Sequence, residues 1–371
     1  MSSSPSRLPP ARAVVAVLAA LLTTALLTLA APVTPAHADP AGAPPPLTDG
    51  FGLTQTGSVT GTATNFVVTV TTPEVSGEHR IRILLPRDYA ADPNRRYPVF
   101  YFLHGASDDP GNPGVAYPAL TATQSMITVI PDGGRRGWYT NWLDQKTAAG
   151  AQNWENFHIK QVVPFIDANL RTLTGRTARA VGGLSMGGFG ALHYAQAHPD
   201  LFGQVASLSG ANELSRNHAV MRGAVVATLT NAGAALCGPS GGADCALNFG
   251  PTVSSDAIFG TPYPFFDADW RWNAADPVAN ADKLARTGVA LYAGNGGGNP
   301  ADMEFWVESA TRHVKERLDA LGLPSHYVNY GNGTGWGTAC KGGHTSGCWA
   351  QDLADYVPRL ETAFATAVPS P

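Results

Sequence analysis

The stretch TARAVGGLSMGGFGALHYAQAH, Thr177–His198, decides how this chain is read. Its centre, Gly183-Leu184-Ser185-Met186-Gly187, is a G-x-S-x-G pentapeptide between a β-like run at 177–181 and a helix-like run at 189–198. A serine hydroxyl is a weak nucleophile, so it must stand clear of the chain beside a base and backbone donors, and a sharp strand-to-helix turn provides that placement. Gly187, Gly188 and Gly190 allow the following helix to approach a sheet closely. The competing reading is a glycine-rich turn that merely contains a serine; the flanking strand and helix patterns are what separate the two.

The alternating runs Asn65–Thr71 and His79–Leu85 predict an antiparallel strand pair joined by a Pro/Gly-containing turn. Tyr97–Leu103 and Met126–Ile130 are short apolar runs closed by turn residues, the pattern of buried parallel strands. A helix is expected over about 153–170, further strands at 204–208, 289–293 and 326–330, and helices at about 302–321 and 349–364. Alternation of strands with helices predicts an α/β fold, a mainly parallel central sheet flanked by helices, with the active edge at the strands' carboxyl ends. Residues 211–275 interrupt the rhythm with Gly/Ala-rich text and an aromatic cluster, Tyr263–Trp272, and are read as a cap or insertion beside the site.

A serine nucleophile needs a base, and the base an acid that fixes its tautomer. In the chain order Ser, acid, His, the base must follow Ser185. His193 and His198 fall on the helix after the nucleophile, and His313 and His326 inside a predicted helix and strand. His344 lies instead in a glycine-rich loop, Lys341–Cys348, after the last predicted strand, and is the expected base. Asp302, Glu304 and Glu308 all follow the 289–293 strand, and spacing does not choose among them; acidic residues are also ordinary in the first turn of a helix. The oxyanion needs two backbone N–H groups, expected from Met186 and from Ala106 in the turn after Leu103; His104 precedes Ser185 and is assigned a structural role at the mouth of the site. Trp138, Trp142, Trp270 and Trp349 are candidates to line the cleft, although aromatic residues more often serve the core.

The formal net charge is −4 and charged residues make up 14% of the chain, which excludes a nucleic-acid surface. Arg7 and Arg12 precede an apolar run from Ala13 to Ala31 and then Ala36-His37-Ala38, so residues 1–38 are expected to be a secretory signal cleaved after Ala38, leaving no membrane span. Residues 39–58 form a Pro/Gly-rich leader, and 59–366 a single domain. Four cysteines in an exported chain favour disulfides, most simply Cys237 with Cys245 and Cys340 with Cys348; the latter pair would staple the His344 loop. The spacings do not match a structural zinc site, and neither metal nor cofactor is expected.

With Leu103-His-Gly105, Val129–Gly134, Trp138–Trp142, the serine block, Ala206–Gly210, Asp269–Asn273, Ala293–Gly296 and His344 in view, residues 60–365 resemble the putative-esterase branch of the α/β-hydrolases, which includes esterase D and the mycobacterial antigen 85 mycolyltransferases. The resemblance implies Glu304 as the acid, with Asp302 as the fallback. It also places Ser107 where the mycolyltransferases carry an arginine at their sugar site, and His104 where they carry an acid. The implied activity is that of a secreted serine esterase or acyltransferase acting on a small-molecule or glycolipid ester, with a sugar or glycerol as a possible acyl acceptor. A secreted binding protein that has lost activity, or a peptidase on the same fold, are the alternatives.

Overall fold

The computed structural model describes residues 42–215, 218–230, 249–263 and 269–367. The expected signal segment and cleavage site, and the expected Cys237–Cys245 pair, lie outside the described residues.

Among the described residues ten strands form one sheet: β1 (Thr54–Gln55), β2 (Thr60–Gly61), β3 (Asn65–Thr71), β4 (Glu78–Leu84), β5 (Val99–Leu103), β6 (Ile127–Pro131), β7 (Arg179–Leu184), β8 (Gln204–Leu208), β9 (Gly288–Gly294) and β10 (His326–Gly331). Their order is β1-β3-β4-β6-β5-β7-β8-β9-β10, with β2 beside β3. The first strands pair antiparallel, and β6 through β10 run parallel. The helices are α1 (Pro118–Ala122), α2 (Val163–Asn169), α3 (Met186–Ala197), α4 (Ala219–Leu229), α5 (Trp270–Ala275), α6 (Met303–Ala320) and α7 (Ser346–Ala367). This is the mainly parallel α/β architecture expected from the strand and helix alternation, and the α/β-hydrolase fold that the resemblance implies.

Strands β5, β6 and β7 are buried at every position because both faces are covered. In β5, Val99, Tyr101 and Leu103 join one core with residues of α2, α3 and α6, whereas Phe100 and Phe102 join the other with residues of α1 and α7. Each fully buried phenylalanine contributes about 1.5–3 kcal/mol of burial. The chain leaves β5 for β6 on one side and then crosses to β7 on the other, so a crevice opens beyond the carboxyl ends of β5 and β7. The turns after both strands face that crevice.

Three boundaries differ from expectation. The serine strand continues to Leu184, because Gly182 and Gly183 pair with β5 and β8. Any side chain on Gly183 would meet the Leu103 carbonyl at 2.5 Å, so these glycines permit strand packing as well as the turn. The leader joins the fold earlier than its composition suggests: Leu53 is buried in the core and Thr54–Gln55 pair with β3. The expected helix at 153–170 starts at 154, turns π-helical from Asn156 through Val162 and continues as α2, where Pro164 has no N–H to donate.

Candidate active site

Ser185 sits between the last residue of β7 and the first of α3 with φ 54° and ψ −120°, a conformation that costs a non-glycine residue of order 1–3 kcal/mol. The surroundings hold it there. Its N–H donates to the Leu208 carbonyl at 2.9 Å, and its own carbonyl accepts from Gly188 and Phe189 at 3.0 and 3.2 Å. Gly187 carries the close approach: a Cβ there would lie 2.1 Å from the Leu103 carbonyl oxygen, so no larger residue lets α3 start against β5.

His344 reaches this serine from the loop after β10. Cys340 and Cys348 are joined by a disulfide that closes the loop around it. Gly296 donates its N–H to the Gly342 carbonyl at 2.8 Å, tying the loop to the end of β9. His344 Nε2 lies 2.9 Å from Ser185 Oγ, and Nδ1 lies 2.7 Å from Glu304 Oε2. With Ser185 donating to Nε2, Nδ1 carries the proton and donates to the carboxylate. Trp349 packs edge-on to the imidazole, with centroids 5.0 Å apart.

Glu304, in the first turn of α6, is fully buried. A buried carboxylate is tolerable only when its oxygens are satisfied. Here Oε1 accepts from the Gly294 N–H and the Ser209 hydroxyl, both at 2.8 Å, and from the Tyr330 hydroxyl at 3.4 Å. Burial and the neighbouring carboxylate push the Tyr330 phenol far up, so it remains a donor. Asp302 does different work: it caps α6, accepting from the Glu304 N–H at 2.9 Å, and receives the His344 N–H at 3.4 Å. Glu308 pairs with Asn329 and Arg312.

Beside Ser185 lies a cavity of about 190 Å³. Ala106 and Met186 line it. The Ala106 turn is set by Ser107 N–H to the Arg135 carbonyl, Asp108 N–H to the Gly105 carbonyl, and Gly105 N–H to Asp108 Oδ2. Met186 opens α3, where the first N–H groups of a helix have no intrahelical acceptor. The apolar wall comes largely from α4 and α6: Met221, Ala224, Met303 and Val307, with Phe249.

Two expected contacts fall elsewhere. Trp142 is buried in the core, donating Nε1–H to the Gly137 carbonyl at 3.1 Å, and does not line the cavity. Ser107 is also absent from the lining; its backbone anchors the turn at φ 65°. Trp349 and Trp138 do line the cavity, whereas Trp270 is exposed on α5. His104 is buried with Nδ1 on the Gly105 carbonyl and Nε2 accepting from the Gly133 N–H, a structural role. Sequence reasoning missed the support given by Ser209 and Tyr330, the lining residue Asp108, and the fact that the 211–275 insertion supplies a regular helix, α4, to the cavity wall. Ser209 was within the quoted Ala206–Gly210 block, but nothing in that text marks it as a partner of an acid 95 residues away.

Comparison with known proteins identifies the family. Residues 72–360 match the family model described as "Putative esterase". Esterase Rv1288 of Mycobacterium tuberculosis is 34% identical over 262 residues, covering 68% of this chain and 52% of that protein. The chain thus spans about half the length of that curated relative. The diacylglycerol acyltransferase/mycolyltransferase Ag85A of Mycobacterium leprae is 28% identical over 281 residues, 71% of this chain and 74% of that one. Among solved structures, Mycobacterium tuberculosis MPT51 superposes with a TM-score of 0.59 at 22% identity, covering 80% of this chain and 97% of that one. The S-formylglutathione hydrolase FrmB of Staphylococcus aureus does so with 0.55 at 13% identity, covering 80% and 98%. On the family match across most of its length, the chain belongs to the putative esterase family of α/β-hydrolases.

Proposed function

We propose that the protein is a secreted serine esterase or acyltransferase that works through an acyl-Ser185 intermediate. The observation that carries this reading is the hydrogen-bonded chain Ser185, His344, Glu304 at the edge of an apolar cavity. Ser185 Oγ attacks the ester carbonyl carbon while its proton passes to His344 Nε2. The resulting imidazolium is stabilised by the Glu304 carboxylate. The Ala106 and Met186 amides receive the oxyanion of the tetrahedral intermediate. Collapse breaks the bond to the alkoxy oxygen, and His344 returns the proton to the departing alcohol. Deacylation repeats the sequence with water, giving hydrolysis, or with a second alcohol, giving transfer to an acceptor such as a sugar or glycerol; both outcomes share the first half-reaction.

Export is supported by the charged, apolar and small-residue pattern of residues 1–38 and by the Cys340–Cys348 disulfide, which suits an oxidising compartment. No helix among the described residues is long and apolar enough to cross a membrane.

Incubation of the folded protein with a fluorophosphonate probe tests the reading. Labelling of the wild-type protein and none of Ser185→Ala is expected. Equal labelling of the two would place the reactive nucleophile elsewhere and sink the Ser185 mechanism, and labelling of neither would return the protein to the class of inactive binding proteins. Supplying a short acyl ester with and without glycerol or trehalose then separates hydrolysis from transfer by the product formed.

A further inference from the structure

Most of the polar side chains that line the cavity are already occupied. Ser185 and His344 bond each other, and Ser209 donates to Glu304. Thr228 donates to the Val225 carbonyl at 2.7 Å and accepts from the Trp138 indole at 3.0 Å. Asp108 differs. Among the described residues its carboxylate takes one hydrogen bond, from the Gly105 N–H at 3.1 Å, although a carboxylate offers about four acceptor positions. Trp349 likewise has an indole N–H that is buried without an acceptor among the described residues.

Both groups stand close to the chemistry. A carbon placed on Gly105 would lie 3.2 Å from Asp108 Oδ2 and 3.5 Å from Ser185 Cβ, so the carboxylate and the nucleophile flank the same glycine. Trp349 packs on the His344 ring. They also share a side of the sheet: Trp349 packs against the core that contains α7, and so does Tyr117, whose phenol is pushed up by burial and by the charges of Asp108 and Asp352. The apolar lining residues Met221, Met303 and Val307 belong to the opposite core. The cavity is therefore divided, apolar toward α4 and α6, and toward α7 equipped with one spare acceptor.

We propose that Asp108 forms the subsite for the alcohol portion of the ester and selects alcohols that carry a further hydroxyl beside the ester oxygen, such as glycerol or a sugar. A neighbouring hydroxyl donates to the free Asp108 oxygen. The apolar side then holds the acyl chain. This assignment rests on the acyl-serine reading, and by microscopic reversibility the site that binds the departing alcohol is the one that an acceptor alcohol would use. Asp108 is a specificity residue here, touching substrate without taking part in proton transfer.

The test compares two esters that share an acyl group and differ only in hydroxyls, glyceryl monobutyrate and n-propyl butyrate. Asp108→Ala and Asp108→Asn should each lower the ratio of kcat/KM for the glyceryl ester to that for the propyl ester by roughly tenfold, the worth of a hydrogen bond to a charged group. Using the ratio removes any general effect on the Gly105 turn, which would slow both esters together. A ratio within about twofold of wild type in both variants, whether or not the absolute rates fall, overturns the assignment and leaves Asp108 as loop support. Asp108→Asn keeps an acceptor for the Gly105 N–H, so the comparison survives if the alanine variant folds poorly. Fluorophosphonate labelling of Ser185 in the same preparations keeps the two readings apart: loss of labelling in the wild type sinks the acyl-serine mechanism, whereas labelling with an unmoved ratio sinks only the Asp108 subsite.

Discussion

Glu304→Gln changes one atom of the acid and removes its charge, and the structure dictates how the new amide must lie. Glu304 Oε1 accepts from the Gly294 N–H and the Ser209 hydroxyl at 2.8 Å each, so the amide oxygen belongs at that position. Turning the amide over would set its NH2 against the Gly294 N–H and leave a buried donor unpaired, at a cost of about 1–3 kcal/mol. The NH2 group therefore takes the place of Oε2, which lies 2.7 Å from His344 Nδ1, and donates to it. That bond holds the imidazole in the tautomer with the proton on Nε2, facing Ser185 Oγ. A protonated Nε2 cannot accept the serine proton. Trapping the base in the wrong tautomer is worth about 10⁴ in kcat, or about 5.5 kcal/mol of transition-state stabilisation, in the serine protease case where it is known. The assay is kcat/KM on a short aryl ester together with a thermal melt. The expected result is a loss of three to four orders of magnitude, about 10³ to 10⁴, with the fold retained. A loss smaller than about tenfold in a folded variant would refute the tautomer argument and the role of Glu304 with it.

Two further perturbations have signs fixed by the structure. Replacing Cys340 and Cys348 by serine opens a loop of sequence separation 8 and should cost about 2.5 kcal/mol by loop-closure entropy, read as a shift in urea midpoint. Activity should fall further than stability alone explains, because the loop carries His344; unchanged stability and activity would show that the bonds from Gly342 and Asp302 suffice. The second concerns acid. Burial pushes the His158 imidazole down to about 4, so it is neutral in the fold, with Nδ1 on the Tyr194 hydroxyl and Nε2 on the Asp132 carbonyl. A base whose folded value is depressed binds its proton more readily when unfolded. Its contribution is therefore complete above about pH 6.5, and falls by about 3 kcal/mol as pH drops through the window to 4. His158→Gln should flatten the stability curve across that window relative to wild type, and parallel curves for the two proteins would count against it.

Most of the fold was legible because it is written in local periodicity. The parallel strands appear as short apolar runs, and α6 and α7 as patterned helices between them. The places where reading failed share a physical cause. Gly182 and Gly183 look like turn residues, yet they are strand residues whose missing side chains make room for Phe100 and for the Leu103 carbonyl. Trp142 looks like a ligand platform because it is large and aromatic, but its indole finds an acceptor at Gly137 and the ring belongs to the core. Asp108 carries no local signal. Its importance comes from what the turn after β5 leaves unpaired, which is a property of the folded cavity.

The choice between Asp302 and Glu304 shows why the acid was harder to read than the serine or the histidine. Both are carboxylates near the start of one helix, and both suit a helix dipole. What separates them is charge compensation. The carboxylate beside His344 is fully buried, and a buried carboxylate needs donors from outside its own helix to satisfy its oxygens. Gly294 at the end of β9, Ser209 just past β8 and Tyr330 on β10 all converge on Glu304 Oε1, leaving Oε2 for the imidazole. Asp302, two residues earlier, uses its oxygen in the cap that orients Glu304. Ser209 is held at φ 49° to reach this site, so part of the strain around the cavity is located in the acid's support as well as in the nucleophile. The acid is thus specified jointly by three adjacent strands, and becomes identifiable only when the sheet brings their ends together.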